Sequence, residues 1–226
     1  MVDSQSILVI GATGRTGLEC VRQFAALSPN PFIHAFCRNK SKLSIADQNR
    51  CTSIIEGDAR SADNLERALA DSSATDVILS IGNGDSIKRT DIRTASGKAL
   101  VQVLKLPAYK KVRTLVISSS GAGSSQIVVG MGIGKLISFH LRHILKDHTD
   151  QEAAFYSIRN RTTIVRASAL TDNAATGKLV EHGDHEKALT IKTDRADLAA
   201  WIVNQICDTD DSLALGRAVN VTGVKK

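Results

Sequence analysis

The sequence predicts an α/β fold in which helices cover both faces of a doubly wound, mostly parallel sheet. Across the 226 residues, short runs of aliphatic and β-branched side chains alternate with longer amphipathic segments, a pattern typical of strand–helix units. The first run, residues 6–10, is apolar at every position after Ser6, as expected of a strand covered on both faces. Neither a linker nor a repeat interrupts the alternation. We therefore expect a single domain over residues 1–226.

The individual elements follow from where apolar runs begin and where turn residues interrupt them. Strands are expected, in chain order, at residues 6–10, 32–37, 52–56, 76–81, 114–118, 162–166 and 218–222, the last at an edge of the sheet. Helices are expected at residues 16–27, 62–70, 91–106 and 195–207, with a further amphipathic region at 131–158. Pro29 stops the first helix and Pro107 the third, while Ser61 is a suitable N-cap for the second.

The composition excludes several classes of protein. With 42% hydrophobic and 23% charged residues, the chain is unlike collagen-like, low-complexity or disordered proteins. The net charge is +6, but no basic run is interleaved with aromatic residues, so we expect an anionic ligand and no nucleic-acid partner. The longest apolar stretch, residues 127–144, is broken by basic and histidine side chains, so no membrane span is expected. No export signal is recognisable and the cysteines form no CxxC pair, so a cytoplasmic location is expected.

A glycine-rich turn carries the clearest chemical signal. Three glycines are spaced three residues apart between the first strand and the first helix. Glycine allows the sharp turn, the close approach of the backbone to a pyrophosphate, and the packing of the helix on the strand. Free N–H groups at the helix N-terminus then bind the phosphates. This context predicts a dinucleotide site, with a purely structural turn as the alternative. Its predicted binding residues are Gly11, Thr13, Gly14, Arg15, Thr16 and Gly17.

The residues after the second strand favour NADP over NAD. Proteins that bind NAD place a carboxylate here, which binds the ribose 2′-hydroxyl. This chain instead has Arg38 and Lys42, with no acidic residue between positions 36 and 42. Their charges, which Arg15 from the glycine-rich turn can join, suit a 2′-phosphate through charge-assisted hydrogen bonds. The alternative is a solvated basic turn.

Several motifs together resemble the atypical short-chain dehydrogenase/reductases with one Rossmann domain, which include NmrA-like proteins and the biliverdin reductase B (flavin reductase) group. The motifs are GATGRTG at 11–17, Arg38, Gly57-Asp58, the serine run at 118–120, TIVRAS at 163–168 and TDRADLA at 193–199. The resemblance covers most of the chain. It implies a Rossmann-type fold and NAD(P) as the cofactor, and it leaves the substrate open.

The resemblance also places further residues around the cofactor. It implies that Asp58 and Ala59 lie beside the adenine, and that residues 80–82, which include Ile81 and Gly82, lie along the cofactor. Residues 166–169, at the end of the sixth strand, are expected on the nicotinamide side. Ser118 ends the fifth strand and is expected at the same edge, because ligands bind beyond the carboxyl ends of parallel strands.

One departure from the classical members bears on the chemistry. Those proteins use a Tyr and a Lys four residues later, but here the Tyr position falls on Ile144 and the Lys position on His148. We therefore expect chemistry other than Tyr–Lys carbonyl reduction. The pair Asp147–His148 resembles that of the flavin/biliverdin reductase type, and His148 is the expected catalytic residue, as an acid or a ribose ligand. The alternative is a histidine on the surface of an amphipathic helix.

Other segments near the expected catalytic edge carry weaker signals. Ser119 or Ser120 is expected to bind the nicotinamide amide or the substrate, with capping of the loop as the alternative. The polar segment 169–192 is expected to form a lid on the substrate side. The apolar stretch 127–134 either walls the substrate site or forms a dimer contact. The paired histidines at 140/143 and 182/185 lack a third ligand, so no metal site is expected.

These features predict an NADPH-dependent oxidoreductase that transfers hydride, between Ser119 and His148, to a flavin-, quinone- or enone-like small molecule. Such acceptors need little help from an enzymic acid, because solvent can protonate them. Two alternatives remain open. One is a non-catalytic NADP(H) sensor of the NmrA type, and the other is a redox-neutral isomerase or lyase on the same fold. A monomer or a homodimer is expected.

Overall fold

The computed structural model describes residues 5–128, 133–207 and 215–224. The strands are β1 (Ser6–Ile10), β2 (Phe32–Cys37), β3 (Ser53–Glu56), β4 (Asp76–Leu79), β5 (Arg113–Ser119), β6 (Thr162–Ala167), β7 (Ala169–Thr171), β8 (Leu179–His182), β9 (Lys192–Asp194) and β10 (Ala218–Gly223). The helices are α1 (Arg15–Phe24), α2 (Ile45–Gln48), α3 (Ala62–Ser72), α4 (Ile92–Leu104), α5 (Ile133–His140), α6 (Arg142–Ala154) and α7 (Arg195–Cys207).

Eight of the strands form one sheet in the order β3-β2-β1-β4-β5-β6-β10-β8. Every neighbouring pair in it is parallel except β8, which runs antiparallel to β10. The chain winds outward from β1 in one direction through β2 and in the other through β4. That switch point is where doubly wound sheets bind ligands. The predicted fold class is confirmed, and β7 and β9 form a separate parallel pair.

Helices cover both faces of the sheet, as the apolar first strand predicts. Ile7 and Val9 of β1 belong to the core that α1 and α7 cover. Leu8 and Ile10, which point to the opposite face, belong to the core that α3 and α4 cover. All four side chains are fully buried. Burial on both sides explains why β1 lacks the polar–apolar alternation of a half-exposed strand.

The carboxyl-terminal half departs from the predicted layout in two places. The expected edge strand is instead internal, because β8 pairs with the outer side of β10. Residues 179–182 combine two apolar with two polar side chains, which is too short and too mixed a run to predict a strand. In the amphipathic region predicted at 131–158, residues 133–154 form two helices, because the backbone at Leu141 (φ −91°, ψ 7°) leaves helical geometry between α5 and α6.

The glycine-rich turn brings the backbones of β1, α1 and β4 into close contact. A Cβ on Gly11, which has φ of +90°, would lie 2.2 Å from the carbonyl oxygen of Ser80. A Cβ on Gly17 would lie 2.5 Å from the carbonyl oxygen of Gly11. The N–H groups of Gly11 and Ala12 both donate to the carbonyl oxygen of Phe36 at the end of β2. Gly17 thus packs the helix on the strand, as its position in the motif predicts.

Replacing Gly17 tests this contact. Gly17→Ala is expected to lower the free energy of unfolding by about 1–3 kcal/mol, because the new methyl meets backbone that cannot rotate away. Gly177→Ala is the matched control: its φ is +70° but nothing lies within 4 Å of the added methyl, so only backbone strain of about 1 kcal/mol is expected. Urea denaturation measures both losses. Amide NMR shifts of Gly11 and Ile81 should change only in Gly17→Ala, and unchanged shifts there would contradict the packing role.

Candidate functional site

Two neighbouring cavities lie at the switch point of the sheet. We name them cleft A, of about 280 Å³, and cleft B, of about 440 Å³. The two share walls, because Gly14 of the glycine-rich turn and residues 80–82 after β4 line both. They therefore form one groove across the carboxyl ends of the central strands, where an extended ligand is expected to bind.

Cleft A brings together most of the residues predicted to bind a cofactor. Those that line it are Gly11, Thr13, Gly14, Arg38, Lys42, Asp58, Ala59, Ile81 and Gly82. Arg15, Thr16 and Ser118 line cleft B instead, and Gly17 lies beneath the turn as described above. Sequence reasoning missed Phe36, whose ring packs where a Cβ on Gly57 would lie, at 2.8 Å.

The residues of cleft A fit the adenosine and phosphate parts of a dinucleotide. Gly14 is the N-cap of α1 and no side chain caps the helix, so its first N–H groups are available to an anion. The N–H of Asp58 donates to Asn64 Oδ1 (3.0 Å), which fixes the turn beside the expected adenine. Arg38 and Lys42 are exposed cations, and in the described part of the chain no carboxylate pairs with either.

Arg15 does not join Arg38 and Lys42. Its guanidinium lines cleft B, where it pairs with Asp85 from the loop after β4 and with Asp172 after β7 (2.9 Å). The hydrogen bond to Asp85 is the main reason why the pKa of Arg15 is raised. The expectation that Arg15 contributes to a 2′-phosphate site is therefore not supported by its position. The spacing of the glycines could not predict these ion pairs, because Asp85 and Asp172 lie in loops that are far from the motif in the sequence.

Asp147 is buried and faces α4 rather than the cleft. Its carboxylate accepts hydrogen bonds from the N–H groups of Arg93 (3.2 Å) and Thr94 (3.0 Å) in the first turn of α4, and from the Thr94 hydroxyl (2.8 Å). It also pairs with the Arg93 guanidinium at 3.3 Å. Asp147 therefore acts as an anionic cap of α4, where the helix dipole favours negative charge. Among the described residues, it makes no hydrogen bond to His148, the neighbour with which the resemblance pairs it in the sequence.

His148 lines cleft B but is only 8% exposed, so the surface-histidine alternative is wrong. Burial, and then the positive charge of Arg93, lower the pKa of His148 to about 3. The ring is therefore neutral near pH 7 and cannot store a proton for an acid step. Its Nδ1 is buried and has no hydrogen-bond partner among the described residues. Ile144 lines the same cleft one helical turn away, at the position expected from counting back from β6.

The serines at the end of β5 have different surroundings: one is held by buried side chains, and another lines cleft B without such contacts. The Ser118 hydroxyl donates to Glu152 Oε1 (2.6 Å), and Glu152 is held by Arg166 in a buried ion pair (2.7 Å). Ser119 is half-buried and lines cleft B, and among the described residues its hydroxyl bonds only to the carbonyl oxygen of Ser120 (3.2 Å). The Ser119 hydroxyl is thus more available to a ligand in cleft B than that of Ser118, while Ser120, whose hydroxyl donates to the carbonyl oxygen of Arg166 (3.4 Å), does not line this cleft.

A third cavity, which we name the side cavity, opens from the same region and measures about 140 Å³. It shares Ser119, Leu141 and residues 167–169 with cleft B. Ile127 and Val128, at the start of the apolar stretch 127–134, form part of its wall. Residues 129–132 of that stretch lie outside the described residues. The segment 169–192 also contains β7 and β8, and its residues that line the cavity are Ala169, His182, Glu186, Ala188, Thr190 and Ile191. Its role as a lid stays a prediction.

Arg93 is the functional candidate that sequence reasoning missed. It is 7% exposed, lines cleft B, and approaches to 3.2 Å of where a Cβ on Gly82 would lie. Burial lowers its pKa, an effect that the hydrogen bond to Asp147 partly offsets. Helical spacing could have found it, because Arg93 falls on the same stripe as Gly97, Leu100 and Leu104, all buried.

Two further searches cover the described ranges 5–128, 133–207 and 215–224. Within them, no helix has the length and apolar character needed to cross a membrane. The same residues hold no group of three or more His, Cys, Asp or Glu side chains arranged to bind a metal ion.

The chain is similar to several known proteins. The sequence model of a family described as NAD(P)H-binding matches residues 11–209. The oxidoreductase nsrR of Aspergillus novofumigatus is 25% identical over 237 residues, spanning 96% of this chain and 85% of that protein. The oxidoreductase claK of Passalora fulva is 32% identical over 108 residues, spanning 46% of this chain and 38% of that protein.

Solved structures share the architecture. A short-chain dehydrogenase/reductase from Veillonella parvula in complex with NADP matches with a TM-score of 0.76 at 14% identity, over 96% of this chain and 94% of that one. The anaerobillin reductase ChuY from Escherichia coli O157:H7 matches with a TM-score of 0.70 at 16% identity, over 97% and 98%. At these identities the likeness shows the fold.

The lowered pKa of His148 predicts a pH dependence of stability. The unfolded ring takes a proton near the ordinary value of 6.5, and the folded ring only near 3. Between these values the unfolded state binds more protons, so the free energy of unfolding falls by about 2 kcal/mol from this group between pH 7 and pH 5. Urea denaturation at pH 7, 6 and 5 should show that His148→Gln removes this part of the fall. An identical fall in the variant would contradict the buried, neutral ring.

Proposed function

This chain belongs to the NAD(P)H-binding family, and we propose that within it the protein is an NADPH-dependent oxidoreductase that reduces a flavin-, quinone- or enone-like small molecule. The observation that carries the proposal is the groove formed by clefts A and B. Among the described lining residues, one end presents uncapped helix N–H groups and cations without a carboxylate partner, and the other contains neither Tyr nor Lys, the pair that serves carbonyl reduction. The oxidoreductase names of the related proteins support the same class.

The choice of NADPH over NADH rests on the turn after β2. Arg38 and Lys42 line cleft A as exposed cations, which favours a 2′-phosphate. Glu56, at the end of the adjacent strand, does not line the cleft, and its Oε1 accepts the N–H of Lys40 at 2.9 Å. No carboxylate at the end of β2 is therefore placed to bind a ribose 2′-hydroxyl. The NADP present in the Veillonella parvula structure supports this choice.

The residues of cleft B orient the reactants rather than supply protons. Bound NADPH would supply the hydride. The Ser119 hydroxyl would donate a hydrogen bond to the acceptor or to the nicotinamide amide. Neutral His148 would bind the ribose or an acceptor oxygen as a hydrogen-bonding group. Because its pKa lies far below neutrality, the proton that an acceptor requires comes from water, which suits quinones, flavins and enones.

Replacing Arg38 tests the cofactor preference. Arg38→Ala is expected to weaken NADPH binding by about 1–3 kcal/mol and to leave NADH binding nearly unchanged, because a charge-assisted hydrogen bond is lost only with the 2′-phosphate. Lys40→Ala is the matched control, since Lys40 is an exposed cation of the same turn that does not line cleft A. Fluorescence titration gives all the dissociation constants. Equal losses for NADPH and NADH would exclude the 2′-phosphate role.

The activity itself is tested by following NADPH oxidation optically against a panel of flavins, quinones, enones and aldehydes. Turnover of at least one of the first three classes, with little or none of aldehydes, is the expected result. An aldehyde-only activity would contradict the assignment of cleft B. If no acceptor causes NADPH oxidation, although NADPH binding is confirmed in the same sample, a non-catalytic NADP(H) sensor or a redox-neutral enzyme would be favoured.

A further inference from the structure

The side cavity differs in chemistry from the cleft that it adjoins. The described residues that line cleft B include three arginines and an aspartate, namely Arg15, Arg93, Arg195 and Asp85. Among the described residues that line the side cavity there is no Lys or Arg, and the one carboxylate is that of Glu186. Five aliphatic side chains form much of its wall: Ile127, Val128, Ile137, Leu141 and Ile191. A neutral, apolar group is favoured there, because a buried anion would meet Glu186 without a cation to balance it.

The position of the side cavity ties it to the proposed reaction site. Ser119 and the residues at the end of β6 line both it and cleft B, so a molecule reacting in cleft B can extend into it. A volume of about 140 Å³ is below the roughly 300 Å³ at which complete ligand pockets begin. The cavity therefore suits part of a molecule, such as one ring, rather than a whole substrate.

His182, which lines the side cavity, adds one requirement for a polar group on the ligand. Its Nδ1 lies 3.0 Å from the carbonyl oxygen of Gly183, which can only accept, so in the neutral ring Nδ1 carries the hydrogen. Nε2 is then an acceptor, and it is buried without a hydrogen-bond partner among the described residues. A ligand hydroxyl is a donor that would satisfy it, since buried acceptors are normally bonded.

Building on the proposed function, we propose that the acceptor is an uncharged ring compound whose non-reacting part fills the side cavity and carries a hydroxyl group that bonds to His182. The reacting ring lies in cleft B beside Ser119, and the second ring lies among the aliphatic side chains. Substrates with a carboxylate, sulfonate or phosphate on that second ring are excluded, because the described lining of the side cavity offers no cation.

Binding of compounds that cannot be reduced tests the cavity without reference to turnover. Calorimetry with the NADP⁺-loaded protein is expected to show that 2-naphthol binds about tenfold or more tightly than naphthalene-2-sulfonate. Ala188→Phe places a ring in the side cavity and is expected to weaken 2-naphthol about tenfold. Leu189→Phe is the matched control, because Leu189 is the next residue, is 54% exposed and does not line the cavity. Equal affinities for the two compounds, or equal effects of the two variants, would overturn the proposal.

A second pair of ligands tests the proposed hydrogen bond between the ligand hydroxyl and His182. The parent protein is expected to bind 2-naphthol about fivefold more tightly than 2-methoxynaphthalene, and His182→Phe to remove that difference. A preference that persists in His182→Phe would overturn the hydrogen bond to His182. The same panel of proteins is assayed with 1,4-naphthoquinone and NADPH. Binding as expected, with no turnover of quinones, flavins or enones, would contradict the proposed function and retain the side cavity as a ligand site. Quinone turnover unaffected by Ala188→Phe would contradict the cavity alone.

Discussion

The whole groove depends on how closely the glycine-rich turn approaches the end of β4. The missing side chains of Gly11 and Gly17 allow carbonyl oxygens to lie where a Cβ would otherwise be, at 2.2 and 2.5 Å. This approach brings the N-terminus of α1 to the switch point, beside the residues after β4 that line both clefts. Any larger residue would separate strand and helix, because the atoms in contact are backbone and cannot move aside. The helix N–H groups, the basic turn after β2 and the loop after β4 therefore meet at one place.

A second, electrostatic constraint shapes cleft B. Asp147 is held by two N–H groups and a hydroxyl at the start of α4, which fixes α6 against α4. That contact leaves the Arg93 guanidinium buried beside cleft B, and its charge adds to burial in keeping His148 neutral. The described lining of cleft B thus contains positive charge, and its one histidine is neutral near pH 7. Such an environment orients an acceptor and stabilises negative charge that develops on it, while water supplies the proton.

Polarity changes along the groove from charged to apolar. Cleft A presents cations and helix N–H groups. Arg15 and Arg195, which line cleft B, form ion pairs with Asp172. Aliphatic side chains form much of the wall of the side cavity. The buried ion pair of Glu152 and Arg166 holds the Ser118 hydroxyl. Ser119, the next residue, is thereby left at the junction of cleft B and the side cavity. This sequence of environments suits the two molecules of the proposed reaction, a phosphate-bearing cofactor at one end and an acceptor with a neutral ring at the other.

The sequence by itself determined the fold class and most strand positions, and it predicted most of the residues that line cleft A. Those features follow from local patterns: continuous apolar runs bury a strand on both faces, and the glycine spacing with Arg38 and Lys42 belongs to turns at fixed strand ends. Tertiary structure alone decided that Asp147 caps α4, that Arg15 pairs with Asp85 and Asp172, and that β8 covers β10. These contacts join residues that are far apart in the chain. Their partners, and hence the protonation state of His148, are set by how helices and loops pack, which local periodicity does not encode.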